Sequence, residues 1–481
     1  MSLDKVLAKV SPNRGIDSSY HTMIDLLVSG GLVATSEFTM MADIAVKDGK
    51  ISGLVAPGFV QHADRVIDAS GKILMPGAID PHVHMQSRAF GTVTRDDFSS
   101  GSKAGAFGGV TSMVDFAIPG ATQTPMDAIR EQQRNADGKT YLDYSLHSCL
   151  TNANEKTVEQ VKQIIDQGVP SFKMFMTYRK EGVLIDDGML MLLINEISKN
   201  GGLPGVHAEN DAMIVTLVEK FLAENKVSPI FHALSRPNVT ESEAINRALY
   251  IADFYNSPLY IYHMSTKEGA GLIRSAKSLG KKAYCEVCTH HLVLTDELYE
   301  RSDGIKYIMT PPLRRREDID ALWNALADGT ISNVASDHSS WDLGQKDKKN
   351  SFAEVPNGVA GIETRVPVIY SEGVIGGRLS LQRFVEVVST NPAKIFGLYP
   401  KKGSLSVGSD ADITIIDPKL ETKITLESLH SRVDYTIYDG MRLKGYPITT
   451  IVKGEPIVKD RQFIAGSPAN GVFVPGRRFG T

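Results

Sequence analysis

Two histidines near residue 80 have the spacing of a metal-binding pair. His82 and His84 lie one residue apart at the end of an apolar segment that begins at Lys72. Because side chains alternate along a β-strand, both imidazoles face the same side and can share a metal ion. Neutral imidazole is the commonest metal ligand in proteins, but two neighbouring histidines can equally be a hydrogen-bonded structural pair. The pair by itself leaves both interpretations open.

Further polar side chains lie in or at the ends of other apolar, β-branched segments. Lys173 lies within one such segment, and three more segments end at His207, His263 and Asp337. If these segments are parallel strands of a barrel, their carboxyl ends meet at one mouth, where the active site of that fold lies. Imidazoles and a carboxylate gathered there suit zinc, and two zinc ions can be bridged by a hydroxide.

Lys173 has an unusual setting because its neighbours are Phe172 on one side and Met174 and Phe175 on the other. Desolvation of an ammonium group lowers its pKa and favours a neutral, nucleophilic amine. Such an amine can react with carbon dioxide to give a carbamate with one oxygen for each of two metal ions. Taken alone, Lys173 fits equally well a lysine whose head reaches solvent. The other candidate ligands favour the carbamate.

From Lys72 onward, strand-like segments alternate with segments of helical periodicity, which is typical of repeated βα units around a parallel sheet. We predict eight barrel strands, over 73–84, 109–116, 141–150, 171–177, 203–209, 258–265, 282–289 and 331–337. We predict helices between them, including 125–137, 155–167, 267–279 and 317–327. The sequence therefore predicts an α/β fold with a TIM-like (β/α)8 barrel.

Both ends of the chain contain short strand-like pieces separated by Gly, Asp and Asn turns. We predict that residues 22–72 and 398–467 form one small, discontinuous β-sandwich domain, with the barrel domain at 73–397 inserted between them. The ends at 1–21 and 468–481 are expected to be terminal arms, poorly ordered or engaged in oligomer contacts.

Composition excludes several classes of protein. The net charge is −4, and no long basic run exists beyond Arg314–Arg316, so a nucleic-acid partner is not expected. No segment is apolar over the length of a membrane span, and the amino terminus lacks a signal-peptide pattern. Three cysteines cannot form a disulfide framework. We therefore expect a cytoplasmic protein, and we interpret Cys285 and Cys288 as buried strand residues rather than half of a zinc ribbon or a redox pair.

Several segments, in this order, resemble the binuclear-zinc cyclic amidohydrolases of the amidohydrolase superfamily. These segments are Asp80–His84, Lys173–Tyr178, Val206–Asn210, Tyr262–Ser265 and Ser336–His338. Within that family the chain is most similar to the dihydropyrimidinases and D-hydantoinases, through Phe90–Phe98, Lys306–Arg314 and Pro356–Gly358. The resemblance extends from about Thr22 to about Gln462.

The resemblance implies two zinc ions per subunit with a defined set of ligands. These would be His82 and His84 on one ion, His207 and His263 on the other, N6-carboxylated Lys173 as the bridge, and Asp337 completing the first site. A metal-bridging hydroxide would then attack a polarised carbonyl carbon.

The resemblance also implies a substrate and the residues that handle it. Dihydropyrimidines such as dihydrouracil, and 5-substituted hydantoins, would be opened to N-carbamoyl amino acids. Tyr178 would donate a hydrogen bond to the oxyanion, the main chain at Thr310 and Asn357 would hold the imide, and Asp337 would move the proton. The partners would be this small substrate and further copies of the chain in a tetramer, with no nucleic acid and no membrane.

Some residues depart from that pattern and keep alternatives open. The segment Cys288–Leu292 resembles dihydroorotases, and Gly361–Thr364 resembles dihydroorotases and allantoinases. Dihydroorotases place an arginine two positions after the second histidine of the first pair to hold the substrate carboxylate. This chain has Gln86 there, although Arg88 is nearby and could act as the carboxylate clamp. An allantoinase or dihydroorotase-like enzyme therefore remains an alternative. A non-catalytic dihydropyrimidinase-related scaffold is disfavoured because every ligand position holds a competent residue.

His290 and His291 are two further candidate ligands. Adjacent residues on a strand face opposite ways, so at most one of them could reach the mouth. We predict packing or supporting roles for both.

Overall fold

The structure is a computed structural model that describes residues 24–151, 153–347 and 349–480. The predicted arm at 1–21 and the first two residues of the predicted β-domain lie outside the described residues. Within them, eight parallel strands form a nearly closed barrel, and a nine-stranded mixed sheet is built from strands of both chain ends. The predicted fold class is confirmed.

The regular elements have the following bounds. The strands are β1 Ile24–Ala34, β2 Thr39–Lys47, β3 Lys50–Val55, β4 Ala63–Asp68, β5 Ile73–Pro76, β6 Ala78–Val83, β7 Arg88–Ala89, β8 Thr92–Val93, β9 Val110–Ala117, β10 Asp143–Cys149, β11 Ser171–Phe175, β12 Leu203–His207, β13 Leu259–Ile261, β14 Ala283–Cys288, β15 Asn333–Ala335, β16 Ile413–Lys423, β17 Arg442–Val452, β18 Glu455–Lys459 and β19 Gln462–Phe463. The α-helices are α1 Phe98–Phe107, α2 Pro125–Ala136, α3 Glu155–Asp166, α4 Asp187–Lys199, α5 Asp211–Ala223, α6 Ile230–Leu234, α7 Asn238–Phe254, α8 Lys267–Ser278, α9 Thr289–Val293, α10 Arg316–Ala327, α11 Leu343–Lys346, α12 Arg365–Ile369, α13 Leu381–Val385 and α14 Asn391–Ile395.

The barrel strands follow the order β6, β9, β10, β11, β12, β13, β14, β15, and all neighbouring pairs are parallel. A bridge between Val83 and His338 brings the first and last strands together. Each of the eight strands lies within one predicted range or within one residue of it. The four helices predicted by range also form, each ending one residue early or beginning one residue early. Periodicity was sufficient to find these elements because each buries an apolar face.

The predicted strand at 73–84 is wrong in one respect, because the chain forms two strands there. β5 pairs with β1 and β16 in the mixed sheet, whereas β6 begins the barrel. Gly77 separates them, and a Cβ atom at this position would lie 2.1 Å from the Thr111 hydroxyl oxygen. The glycine therefore allows the chain to pass from one sheet to the other at close range. The mixed sheet accordingly extends past residue 72, where we predicted it to stop.

A buried ion cluster joins the two sheets. Lys402, 1% exposed, contacts Asp143 at 2.5 Å, Asp412 at 2.7 Å and Asp410 at 2.9 Å. Asp143 is the first residue of β10, so the cluster lies at the amino end of that strand, opposite the carboxyl end where the barrel opens.

The carboxyl-terminal segment differs from the predicted arm at 468–481. Its backbone bonds to the barrel: the amides of Gly471, Val474 and Gly476 donate to carbonyls of the barrel domain over 2.7–2.9 Å. Val474 is also buried. The segment is therefore docked along the barrel, because backbone amides between Gly471 and Phe479 donate to carbonyls there.

Two further expectations concern the whole chain. Among the described residues, no helix combines the length and apolar character needed to cross a membrane. Cys149, Cys285 and Cys288 are free and buried, and the last two lie on β14. The interpretation of Cys285 and Cys288 as buried strand residues is confirmed.

Candidate active site

The six predicted metal ligands converge at the carboxyl ends of the barrel strands. We call them the ligand wall: His82 on β6, His84 directly after it, Lys173 on β11, His207 at the end of β12, His263 after β13 and Asp337 after β15. Three other predicted site residues, Tyr178, Thr310 and Asn357, face them across the same cavity and form what we call the ring wall. The structure thus brings together all nine predicted residues.

The ligand atoms lie close to one another. His82 Nε2 is 3.2 Å from His84 Nε2 and 3.2 Å from Lys173 Nζ. Asp337 Oδ1 lies 3.0 Å from His82 Nε2 and 3.2 Å from His84 Nε2. His82, His263 and Asp337 offer ligand atoms that all lie within 4.8 Å of one another. The ring of His207 packs on that of His263 with centroids 4.5 Å apart, which extends the cluster to a second position.

Burial and neighbouring charges shift the pKa values of the side chains in the ligand wall. Burial lowers the pKa of His84 to about 4 and lowers the pKa of His207 and His263 as well, so these imidazoles are neutral. Burial also lowers the pKa of Lys173. For Asp337 burial acts to raise the pKa, but His82 and His84 outweigh it and hold that pKa well below its usual range. These side chains are therefore held in, or shifted toward, the protonation states that bind metal. For His82 burial acts to lower the pKa, but the carboxylates of Asp337 and Glu286 outweigh it and raise that pKa.

Lys173 lies among aromatic rings. Its Nζ is 4.4 Å from the ring centroid of Phe116, 4.9 Å from that of Tyr262 and 5.2 Å from that of Phe175. The side chain is 2% exposed, so the alternative of a head group that reaches solvent is wrong for this structure.

Two buried glutamates fix the orientation of ligand histidines. Glu286 contacts His82 Nδ1 at 2.5 Å and accepts a hydrogen bond from the Tyr260 hydroxyl at 2.8 Å. Glu209 contacts His207 Nε2 at 2.7 Å. A carboxylate on one ring nitrogen fixes the tautomer and leaves the other nitrogen for a metal. Sequence reasoning missed both roles, although an ionisable residue inside the buried strand β14 was a usable signal for Glu286.

Three site residues have left-handed backbone conformations. The φ angles are 38° for His263, 49° for Asp337 and 69° for Tyr178. Such angles are uncommon for residues other than glycine and are found preferentially at functional sites. They also explain why β13 and β15 end two residues before His263 and Asp337, earlier than we predicted, because a left-handed residue cannot continue a strand.

The cavity between the walls measures about 330 Å³ and suits a small ring. Phe90 and Trp341 also line the cavity, and the ring centroid of Phe90 lies 6.3 Å from that of Tyr178 and 6.4 Å from that of Trp341. Burial raises the pKa of the Tyr178 phenol, which therefore stays protonated and able to donate. The Nδ2 of Asn357 lies 3.5 Å from that hydroxyl.

Arg88, considered above as a carboxylate clamp, lies at the rim. Its side chain is 80% exposed and its nearest acidic partner is Glu131 at 3.8 Å. A solvated arginine paired with another residue is a weak anchor for a substrate carboxylate.

His290 and His291 lie on the short helix α9 rather than on a strand, which corrects the predicted alternation. Both are buried, and with Cys288 they offer ligand atoms within 4.8 Å of one another. Burial raises the pKa of the Cys288 thiol well above its usual value, which opposes the thiolate that binds metal. His291 Nε2 lies 3.1 Å from the carbonyl oxygen of Pro311, to which it can only donate.

The sequence and the fold of this chain are similar to those of known proteins. Residues 73–457 match the amidohydrolase family. The chain is 41% identical to the D-hydantoinase of Ralstonia pickettii, over 95% of this chain and 100% of the relative. It is 38% identical to the dihydropyrimidinase of Rattus norvegicus, over 94% of this chain and 89% of the relative. The crystal structure of dihydropyrimidinase from Brevibacillus agri superimposes with a TM-score of 0.92 at 37% identity, covering 95% of this chain and 99% of that one.

Proposed function

The chain belongs to the amidohydrolase family, and from this membership we propose that it opens the rings of 5,6-dihydropyrimidines and 5-substituted hydantoins by hydrolysis. It is an enzyme that hydrolyses cyclic amides, in common with relatives that match nearly its whole length. The observation that carries the proposal is the meeting of the ligand wall and the ring wall around one cavity of about 330 Å³. The products would be N-carbamoyl amino acids.

The ligand wall fits a pair of zinc ions. Burial lowers the pKa of His84, His207 and His263, the Asp337 pKa lies well below its usual range, and His263 Nδ1 is buried without a hydrogen-bond partner among the described residues. His82, His84 and Asp337 would hold one ion, and His207 and His263 the other. Lys173 would bridge them as its N6-carboxylate, since its pKa is lowered by burial. The bound ions would polarise the ring carbonyl and lower the pKa of a water molecule to near neutrality.

The residues of the chain then have separate tasks. Asp337 would accept the proton of the attacking water and deliver it to the departing ring nitrogen. The Tyr178 hydroxyl would donate a hydrogen bond to the oxyanion that develops on the attacked carbonyl. The main chain at Thr310 and Asn357 would orient the imide, and Phe90 and Trp341 would reduce the access of bulk water.

A parallel substrate assay tests this function. Zinc-loaded protein is supplied with dihydrouracil, a 5-substituted hydantoin, allantoin and dihydroorotate, and the loss of ring absorbance is followed. Asp337→Asn purified in the same way is the control for contaminating host enzyme. We expect preferential opening of dihydrouracil or the hydantoin. Activity confined to allantoin or dihydroorotate would overturn the substrate assignment, and a folded protein that binds no metal and has no activity would favour the scaffold.

Two properties of the whole protein complete the proposal. We propose a homotetramer, on the resemblance to the family alone. We propose a reducing, cytoplasmic compartment because the three cysteines are free and buried.

A further inference from the structure

Three main-chain carbonyls of the segment 308–311, beside the cavity, accept hydrogen bonds from buried ionisable side chains. The Nζ of Lys346 donates to the carbonyl of Ile308 over 2.7 Å. Lys346 lies on α11 and is 0% exposed. Its burial lowers its pKa to about 7. Burying an amine costs folding free energy. The interaction that this buried amine makes is its hydrogen bond to the Ile308 carbonyl.

The next carbonyl is held by a histidine from another element. His232, on α6, lies with its Nε2 2.7 Å from the carbonyl oxygen of Met309. A carbonyl only accepts, so this nitrogen carries the proton and donates. The same Nε2 lies 3.4 Å from the hydroxyl of Thr310.

A third carbonyl is held from α9, where His291 Nε2 donates to Pro311 over 3.1 Å. The carbonyls on both sides of Thr310 are thus occupied by side chains from three separate helices. Within residues 24–151, 153–347 and 349–480, neither the N–H nor the C=O of Thr310 itself has a hydrogen-bond partner. Thr310 lines the cavity, so its unpaired main-chain donor and acceptor are available to a ligand there.

The Ile308 carbonyl also joins the two segments of the ring wall. It accepts a second hydrogen bond, from the amide of Gly358 at 3.1 Å. Gly358 directly follows Asn357, whose own carbonyl accepts from Trp341 Nε1 at 2.9 Å. Lys346 therefore bonds to the atom through which the Thr310 and Asn357 segments are linked.

We propose that His232, His291 and Lys346 are positioning residues that fix the Thr310 main chain, so that its N–H and C=O select rings carrying an adjacent C=O and N–H. This inference rests on the proposed function. Binding of the imide by the main chain at Thr310 belongs to that proposed function, and the inference adds three side chains that do not touch the substrate but determine how accurately this main chain is placed. Loss of any one of them would loosen binding of the ring while the ligand wall stays intact.

Two sets of variants test the proposal with hydantoin as substrate. Lys346→Met removes the donor and keeps much of the side-chain volume. His232→Leu removes the second donor, whereas His232→Gln keeps an N–H at the end of the side chain. We expect KM to rise about tenfold in Lys346→Met and His232→Leu, with kcat within about threefold and zinc content unchanged, as for a lost binding interaction. His232→Gln should restore much of the wild-type KM.

The selectivity is measured directly with 1-methylhydantoin and 3-methylhydantoin as competitive inhibitors, since each lacks one ring N–H. Wild-type protein should bind at least one of them tenfold or more weakly than hydantoin, because an unpaired buried acceptor is penalised. The Lys346→Met and His232→Leu variants should lose most of this discrimination.

A matched control separates positioning from general destabilisation. Lys402→Met also removes a buried lysine, but from the opposite end of the barrel, and it should lower the melting temperature without changing KM. Unchanged KM and unchanged discrimination in folded Lys346→Met and His232→Leu would overturn the proposal, as would equal behaviour of His232→Gln and His232→Leu. Absence of hydantoin and dihydrouracil hydrolysis in the wild type would instead count against the proposed function.

Discussion

The ligand wall and the ring wall face the same cavity but are built in different ways. The ligand wall consists of side chains on or just after barrel strands, and a buried glutamate orients His82 and another orients His207. The ring wall lies on loops, and at Thr310 it offers main-chain groups held by side chains from three helices. The chemistry is thus assigned to the ligand wall together with the Tyr178 hydroxyl, and the recognition to the main chain of the ring wall at Thr310 and Asn357. The comparison predicts that damage to the ligand wall or to Tyr178 changes kcat, whereas damage to the support of the Thr310 and Asn357 main chain changes KM.

The largest effect on turnover is expected for Asp337→Asn. The amide cannot take the proton of the attacking water, so kcat should fall by about 10³-fold or more. The fold should persist, which circular dichroism and the melting temperature would check. Substantial remaining activity would exclude Asp337 as the proton carrier.

A smaller loss is expected for Tyr178→Phe, which removes one donor to the oxyanion. We expect kcat to fall about 100-fold, with a much smaller change in KM, because the hydrogen bond strengthens only as charge develops. Steady-state kinetics with dihydrouracil would measure both constants. If KM changed and kcat did not, Tyr178 would bind the ring without stabilising the oxyanion.

A change in the support of the ring wall should spare turnover and weaken binding. Trp341→Phe removes the hydrogen bond to the Asn357 carbonyl, and a neutral bond of about 1 kcal/mol corresponds to about a fivefold rise in KM. Trp323→Phe is the matched control, since its Nε1 donates to Leu292 instead. Equal KM values for the two variants would contradict the distinction between the walls.

The smallest effect on turnover is expected at the far end of the barrel. Lys402→Met leaves Asp143, Asp410 and Asp412 without their buried cation and should lower the free energy of unfolding by about 3–5 kcal/mol. Urea denaturation would measure the loss. Both kcat and KM should match the wild type at temperatures where the variant is folded, and a large change in either would mean that the mouth depends on this cluster.

The two walls also differ in how well the sequence predicted them. His82, His84 and Asp337 could be found because residue type and strand position together mark a metal ligand. Thr310 and Asn357 entered only by family resemblance, because a main-chain donor or acceptor leaves no mark on residue type. The supporting side chains His232 and Lys346 were not found at all, since their partners are distant in sequence.

Errors in the fold have physical causes as well. The apolar run at 73–84 is uniform, so periodicity could not reveal that Gly77 carries the chain from one sheet to the other. The segment 468–481 was expected to be an arm, poorly ordered or engaged in oligomer contacts, but its backbone amides between Gly471 and Phe479 bond to the barrel, and composition does not encode such hydrogen bonds. Strands β13 and β15 are short because His263 and Asp337 adopt left-handed backbone angles.

The metal content of two buried-lysine variants tests the account most directly. Wild-type protein, Lys173→Met and Lys346→Met would be expressed with added zinc and bicarbonate, and zinc per chain would be measured together with ring opening. We expect about two zinc ions per chain in the wild type and in Lys346→Met. Lys173→Met should hold fewer than one and have no measurable turnover. A Lys173→Met protein that retained two zinc ions and opened the ring would contradict the assignment of Lys173 as the bridge of the ligand wall.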